Sequence, residues 1–251
     1  MSKVDKPLPV VDIDTNIKAF FDNREENRCL PDERNASFDY CYNYFQEFRR
    51  NNKISEIASS ENLERSCIQI SFFLASWGML RGSAFLSKKS AHHYKKLIDI
   101  VAKEPESTWA IDVDQYGDTG STEILLELTG KIRKAISLSG TGEEEVSEIL
   151  ITKIILGIFG NIPAFDSYFL KGFGNYWVNK ESLKIIYDFY MANGEIIDGY
   201  KIPTIGFVDG EPTSRSYPQA KIIDMIFFME GDKLFKAEEA IRKQAKSKNK
   251  R

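Results

Sequence analysis

The fold turns on the stretch "ITKIILGIFGNIPAFDSYF", Ile151–Phe169. It begins as an apolar helix and breaks at Gly160, Asn161 and Pro163, the last of which lacks a backbone donor. It then presents one carboxylate, Asp166, among Phe165, Tyr168 and Phe169. An acid in that position is either an N-cap that satisfies free backbone amides or a desolvated carboxylate with chemistry to do. Both readings stand open in the sequence.

Upstream, apolar periodicity predicts a series of helices. Phe38, Tyr42, Phe45 and Phe48 recur at three- and four-residue spacing and make one core face. "SENLERSCIQISFFLASWGMLRGSAFL" is capped at Ser60 and reads as a largely buried helix through Ile68, Phe72 and Ala75, the central helix of the fold. "SAHHYKKLIDIVAKEP" is stopped by Pro105, and "STEILLELTGKIRKAISLSG" follows. In "GEEEVSEILITKIILGIFG" the glutamates sit in the first turn, where the helix dipole favours them. Near the N-terminus, Asp14 or Thr15 is placed to cap a short helix.

Downstream, "NKESLKIIYDFYMANG" is expected to end at Gly194 and "SYPQAKIIDMIFFMEG" at Gly231. Gly, Pro and Asp punctuation between them leaves room for at most a small β-hairpin near 195–210. The expected fold class is therefore mainly α: a compact multi-helix globular domain over 1–235, with a basic polar tail over 236–251. That tail reads as a solvated helix end or as a weak electrostatic arm for an anionic partner.

The chain has 251 residues, 42% hydrophobic and 12% aromatic, enough to bury a sizeable core. A net charge of -3 excludes a surface that is basic overall, so any nucleic-acid contact has to come from a local patch. Cys29, Cys41 and Cys67 are odd in number and lack C-x-x-C spacing, which reads as reduced thiols. No window is apolar enough for a membrane helix and no leader is apparent, so the expected location is the cytoplasm.

Two further constellations could carry chemistry. "DVDQYGDTGSTE" matches a calcium loop at Asp112, Asp114, Gly117 and Glu123, but Tyr116 stands where an oxygen ligand is needed and no entering helix fits after Pro105. A capped acidic loop without calcium is expected. In "ASWGMLRGSAF", Trp77 and Arg81 beside Gly78 and Gly82 read either as close helix packing or as a stacking platform and an anion contact. His92 and His93 lack further metal ligands and are expected at a solvated helix end, so neither metal nor cofactor is expected.

A helix, then Phe159-Gly160, then Pro163, then Asp166 opening the next helix resembles the second half of the helix-hairpin-helix DNA glycosylase motif, as in 8-oxoguanine DNA glycosylase-like proteins. "LSGTG", Leu138–Gly142, is similar to its hairpin turn, and "SWG" to a segment of bacterial members; the likeness spans about 70–175. The resemblance implies a helical fold whose hairpin amides hold a DNA phosphate and whose Asp166 is catalytic, stabilising the sugar cation as a flipped base leaves. With the stacking and anion-contact reading of Trp77 and Arg81, it makes Trp77, Arg81, Lys153 and Tyr168 the candidate substrate contacts. The sequence departs from the motif in Glu143, Glu144 and Glu145 after the turn. It also places Lys153 about one turn beyond the position, near Leu150 or Ile151, where bifunctional members carry a lysine. The expected partner is DNA. A second reading is a non-catalytic interaction module of a bacterial defence or stress assembly, which would bind a protein through the aromatic surface of 168–190 or through the tail.

Overall fold

The computed structural model describes residues 9–82, 84–137, 146–174 and 177–248. Ten α-helices, four short 3-10 helices and one two-stranded hairpin make up the regular structure among them. In chain order they are α1 (Ile13–Phe20), α2 (Ala36–Arg50), α3 (Leu63–Ser76), α4 (Lys95–Val101), α5 (Glu106–Ala110), α6 (Thr119–Ser137), α7 (Glu148–Ile158), α8 (Ser167–Phe173) and α9 (Lys180–Gly199). The strands β1 (Pro203–Ile205) and β2 (Pro212–Ser216) follow, and α10 (Gln219–Lys248) closes the chain. The mainly α class holds, with the hairpin running somewhat beyond 210. "LSGTG" and Glu143–Glu145 lie outside the described residues.

The central helix is α7, not α3. Every residue of α7 from Leu150 to Ile158 is buried, as a helix apolar on all sides must be. On α3, Cys67, Ile70, Phe73 and Leu74 face the core, and Phe73 reaches α7 because Gly157 has no side chain: a Cβ there would lie 2.6 Å from the Phe73 ring. The expected core face fails, with Ile68 48% and Phe72 60% exposed and Ala75 also at the surface. Helix α3 is apolar on two faces, and periodicity cannot tell which one the bundle covers.

Gly194 and Gly231 do not end helices. The helix α9 runs through Gly194 to Gly199, and α10 runs through Gly231 to Lys248, taking in residues 236–248. Gly231 and Gly172 are instead the contact at which α10 and α8 cross: a Cβ at 231 would collide with the Tyr168 carbonyl and one at 172 with the Phe227 carbonyl. Backbone-to-backbone approach, rather than a left-handed turn, is what these glycines supply.

Smaller corrections follow the same logic of caps and partners. Asp12, not Asp14 or Thr15, caps α1 by accepting from the Thr15 amide at 3.0 Å. His93 is buried between the Phe85 and Tyr94 rings, while His92 is exposed. The cysteines are free and buried, and desolvation pushes the Cys29 thiol up to about 12.

The calcium-like loop is dispersed. Asp112 accepts from the amides of Gln219 (2.8 Å) and Ala220 (2.9 Å) and so holds the first turn of α10. Glu123 pairs with Lys180 at 2.8 Å. Among the described residues no three His, Cys, Asp or Glu side chains gather around one point where a metal ion could sit. No helix among them is long and apolar enough to cross a membrane.

Candidate functional site

Two helix ends and one buried loop build the site. At the end of α3 the Met79 amide bonds the Leu74 carbonyl and the Gly78 amide bonds that of Ala75, both at 2.9 Å. This is a Schellman stop with Gly78 at φ 77°. It turns the chain back after Trp77, and Arg81 folds into the space a side chain at Gly78 would fill.

At the end of α7, Gly160 (φ 75°) bonds the Leu156 carbonyl and reverses the chain again. A Cβ at Gly160 would lie 2.6 Å from the Tyr42 ring, so the turn is also closely packed. The loop that follows is buried, and most of its polar groups find partners, Asn161 Oδ1 being without one among the described residues. Tyr116 donates to the Asn161 carbonyl at 2.5 Å, Asp224 accepts from the Ala164 amide at 3.0 Å, and Thr152 accepts from the Phe165 amide at 2.9 Å. A buried loop tied down in this way has little freedom, and Asp166 is its last residue.

Asp166 does two jobs at once. Its Oδ1 accepts from the amides of Tyr168 and Phe169, both at 3.0 Å, and caps α8. Its Oδ2 accepts from Lys153 Nζ at 2.9 Å. The Lys153 and Asp166 side chains are only 6% and 13% exposed, so the pair is largely out of water, where charge interactions strengthen. A carboxylate oxygen has two acceptor positions, which leaves Oδ2 one more for a substrate or a water. The lysine that appeared displaced in sequence is thus in contact with the acid in space.

The pair lies at the floor of a cleft of about 490 Å³. Trp77, Arg81, Lys153, Asp166 and Tyr168, the five residues singled out in sequence, all line it. Trp77 is half-buried rather than core. Its ring lies 4.8 Å from the Arg34 guanidinium and 5.0 Å from Lys153 Nζ, and its Nε1 is buried without a hydrogen-bond partner among the described residues. With cations already over the ring, Trp77 is first a plate that holds charge and offers less open surface for stacking than expected. Tyr168 packs on Phe228 and Phe235, with centroids at 4.9 and 5.3 Å, and forms the aromatic wall.

Sequence reasoning missed Arg34 and the rim supplied by α10, Asp232 and Lys236. Arg34 sits in an irregular loop before α2, with no spacing to flag it. Asp232 and Lys236 lie beyond Gly231, where the helix was expected to stop.

A second cleft, of about 680 Å³, lies between α2, α3 and the hairpin and is lined by Tyr40, Tyr44, Phe207 and Arg215 among others. Its acid, Glu47, is 46% exposed and already paired with Arg50 and Arg215, so it offers no desolvated carboxylate.

No protein-family model matches the chain, and neither a curated protein nor a solved structure matches it significantly.

Proposed function

We propose that the chain is a DNA glycosylase-like protein and that its cleft cleaves the N-glycosidic bond of a nucleotide turned out of the duplex. The observation that carries this reading is Asp166: a largely buried carboxylate at the floor of a cleft, held by two backbone amides and a lysine, with an aromatic wall beside it. As the bond from C1′ to the base nitrogen breaks, the electron pair leaves with the base and positive charge develops on the sugar. A fixed, largely buried carboxylate stabilises that charge without having to reorganise. Water then adds to C1′ and its proton passes to the departing base, giving free base and an abasic sugar; the free acceptor position of Asp166 Oδ2 is suited to orient that water. Lys153 holds the carboxylate in place through its 2.9 Å contact with Oδ2.

An extruded base needs a pocket and an aromatic surface, and the volume of the cleft and Tyr168 supply both. The mixed charge of the cleft suits a local contact with DNA despite the net charge of -3. Three free, buried thiols fit a cytoplasmic location. The test is salt-dependent binding of duplex DNA together with release of base from damaged duplexes, both measured on the wild-type protein and on Asp166→Asn.

A second reading, an interaction module, has its own support in the apolar side chains that the fold leaves outside. Phe72 on α3, Trp177 before α9 and Phe207 at the hairpin tip are 60%, 65% and 78% exposed. If DNA fails to bind at low salt, the module becomes the better account of the chain.

A further inference from the structure

Charge pairing within the cleft is uneven. Three carboxylates line it, and each lies against a cation: Asp166 against Lys153 at 2.9 Å, Asp232 against Lys236 at 2.6 Å, and Asp22 against Arg24 at 3.2 Å, a guanidinium it shares with Glu33. Arg34 and Arg81 also line it, and among the described residues neither has an acid within ion-pair distance. Both are nonetheless positioned. The Arg34 guanidinium lies 4.8 Å from the Trp77 ring centroid, and that of Arg81 fills the place of the missing Gly78 side chain. Sequence and turn geometry therefore bring two unneutralised guanidiniums to one cleft, Arg34 over the Trp77 ring and Arg81 in the turn that follows it.

We propose that Arg34 and Arg81 form an anion subsite that takes a phosphate ester. A guanidinium presents paired donors that match phosphate oxygens, and it stays charged at any working pH. Under the function proposed above, which this inference deepens, the ester is the phosphodiester beside the extruded nucleotide, gripped at the mouth while the sugar reaches Asp166. Both arginines are exposed, so the ligand enters from solvent and displaces only water.

The test uses the indole N–H resonances of the full-length protein, three in number because the chain has three tryptophans. Trp77→Phe assigns the Trp77 signal. At constant ionic strength the protein is titrated with inorganic phosphate, with thymidine 5′-monophosphate and with uncharged thymidine. The Trp77 signal should shift saturably with the first two and stay in place with thymidine. Arg34→Gln and Arg81→Gln should each weaken the phosphate response about tenfold, the worth of one charge-assisted contact, and the double variant should lose it. An unchanged signal from Trp109, which is buried in the core, verifies that the variants are folded. No shift in the wild type, or an equal shift in the double variant, would overturn the subsite. Base-release assays on the same samples separate the two claims: a phosphate response without excision keeps the subsite and removes the glycosylase reading, and excision without a phosphate response does the reverse.

Discussion

Two lysine–aspartate pairs flank Trp77, and they teach different things. Lys153 and Asp166 join α7 to the start of α8; Lys221 and Asp224 lie one turn apart on α10, also at 2.9 Å. Their exposures are close, 6% and 13% against 3% and 9%, so burial alone does not distinguish them. Direction does. Lys153 and Asp166 both line the cleft, whereas neither Lys221 nor Asp224 does. Lys221 instead lies against Phe20, Phe38 and Trp77, with Nζ 5.0, 4.9 and 5.6 Å from their centroids, and Asp224 holds the Ala164 amide. One pair is tied to the core and fixes the loop; the other stands at the end of that loop and faces the site.

The comparison breaks most visibly in stability. Asp224→Ala removes the partner of a buried lysine and the acceptor for a buried amide, and should cost about 3–5 kcal/mol. Lys221→Met combined with Asp224→Leu should recover much of that loss, because a buried pair replaced by apolar groups no longer carries a desolvation cost. Denaturant titration of the single and double variants measures both, and a loss below about 1 kcal/mol for Asp224→Ala would place that pair at the surface in energetic terms.

Gly231→Ala sharpens the role of α10 as the rim of the cleft. The added methyl meets the Tyr168 carbonyl, so α8 and α10 have to part, at a cost of about 1–3 kcal/mol or more. Near-wild-type thermal stability would contradict the interlocked crossing.

The next effect concerns pH. Asp39 is fully buried on α2, accepts from Tyr217 at 2.6 Å and from the Ile205 amide at 2.9 Å, and is pushed up to about 7 by desolvation. Its unfolded value is near 3.8. Between about pH 4 and 7 the folded state therefore holds this proton more firmly than the unfolded state does, and the Asp39 contribution to stability falls as pH rises through that window. Asp112, pushed up to about 6 by burial, acts in the same direction. Melting temperature measured from pH 5 to 8 should decline less steeply in Asp39→Asn than in the wild type; identical slopes would rule out titration of Asp39.

The smallest effect is expected at Phe72. Phe72→Ser removes an exposed ring and should change stability by no more than about 0.5 kcal/mol, where a core position would lose several.

Phe72 also marks how far the sequence could be read. Helix existence was legible because the apolar residues of α2, α6 and α9 repeat on one face, and the cap at Asp166 was legible because Pro163 and an acid announce a helix start. What failed was choice among equivalents. On α3 both Ile70, Phe73, Leu74 and Ile68, Phe72 satisfy a helical period, and only the partner at Gly157 decides between them. Gly231 looks like a stop in one dimension and is a contact in three. Trp77, Arg81 and Asp166 could be named from local pattern and Lys153 and Tyr168 only through the resemblance, and all five line one cleft. Arg34 could not be named, since its role comes from a loop meeting Trp77 across the fold.

The most direct measurement is the single-turnover rate of base release from a panel of damaged duplexes, for wild type, Asp166→Asn and Asp224→Asn at low and moderate salt. The account predicts release by the wild type, and loss of release in Asp166→Asn with DNA binding nearly intact, since asparagine keeps the size and most of the capping capacity but not the charge. Asp224→Asn should release base in proportion to its folded fraction. Release by Asp166→Asn at the wild-type rate, or no release by the wild type from any duplex, would contradict the catalytic assignment of Asp166.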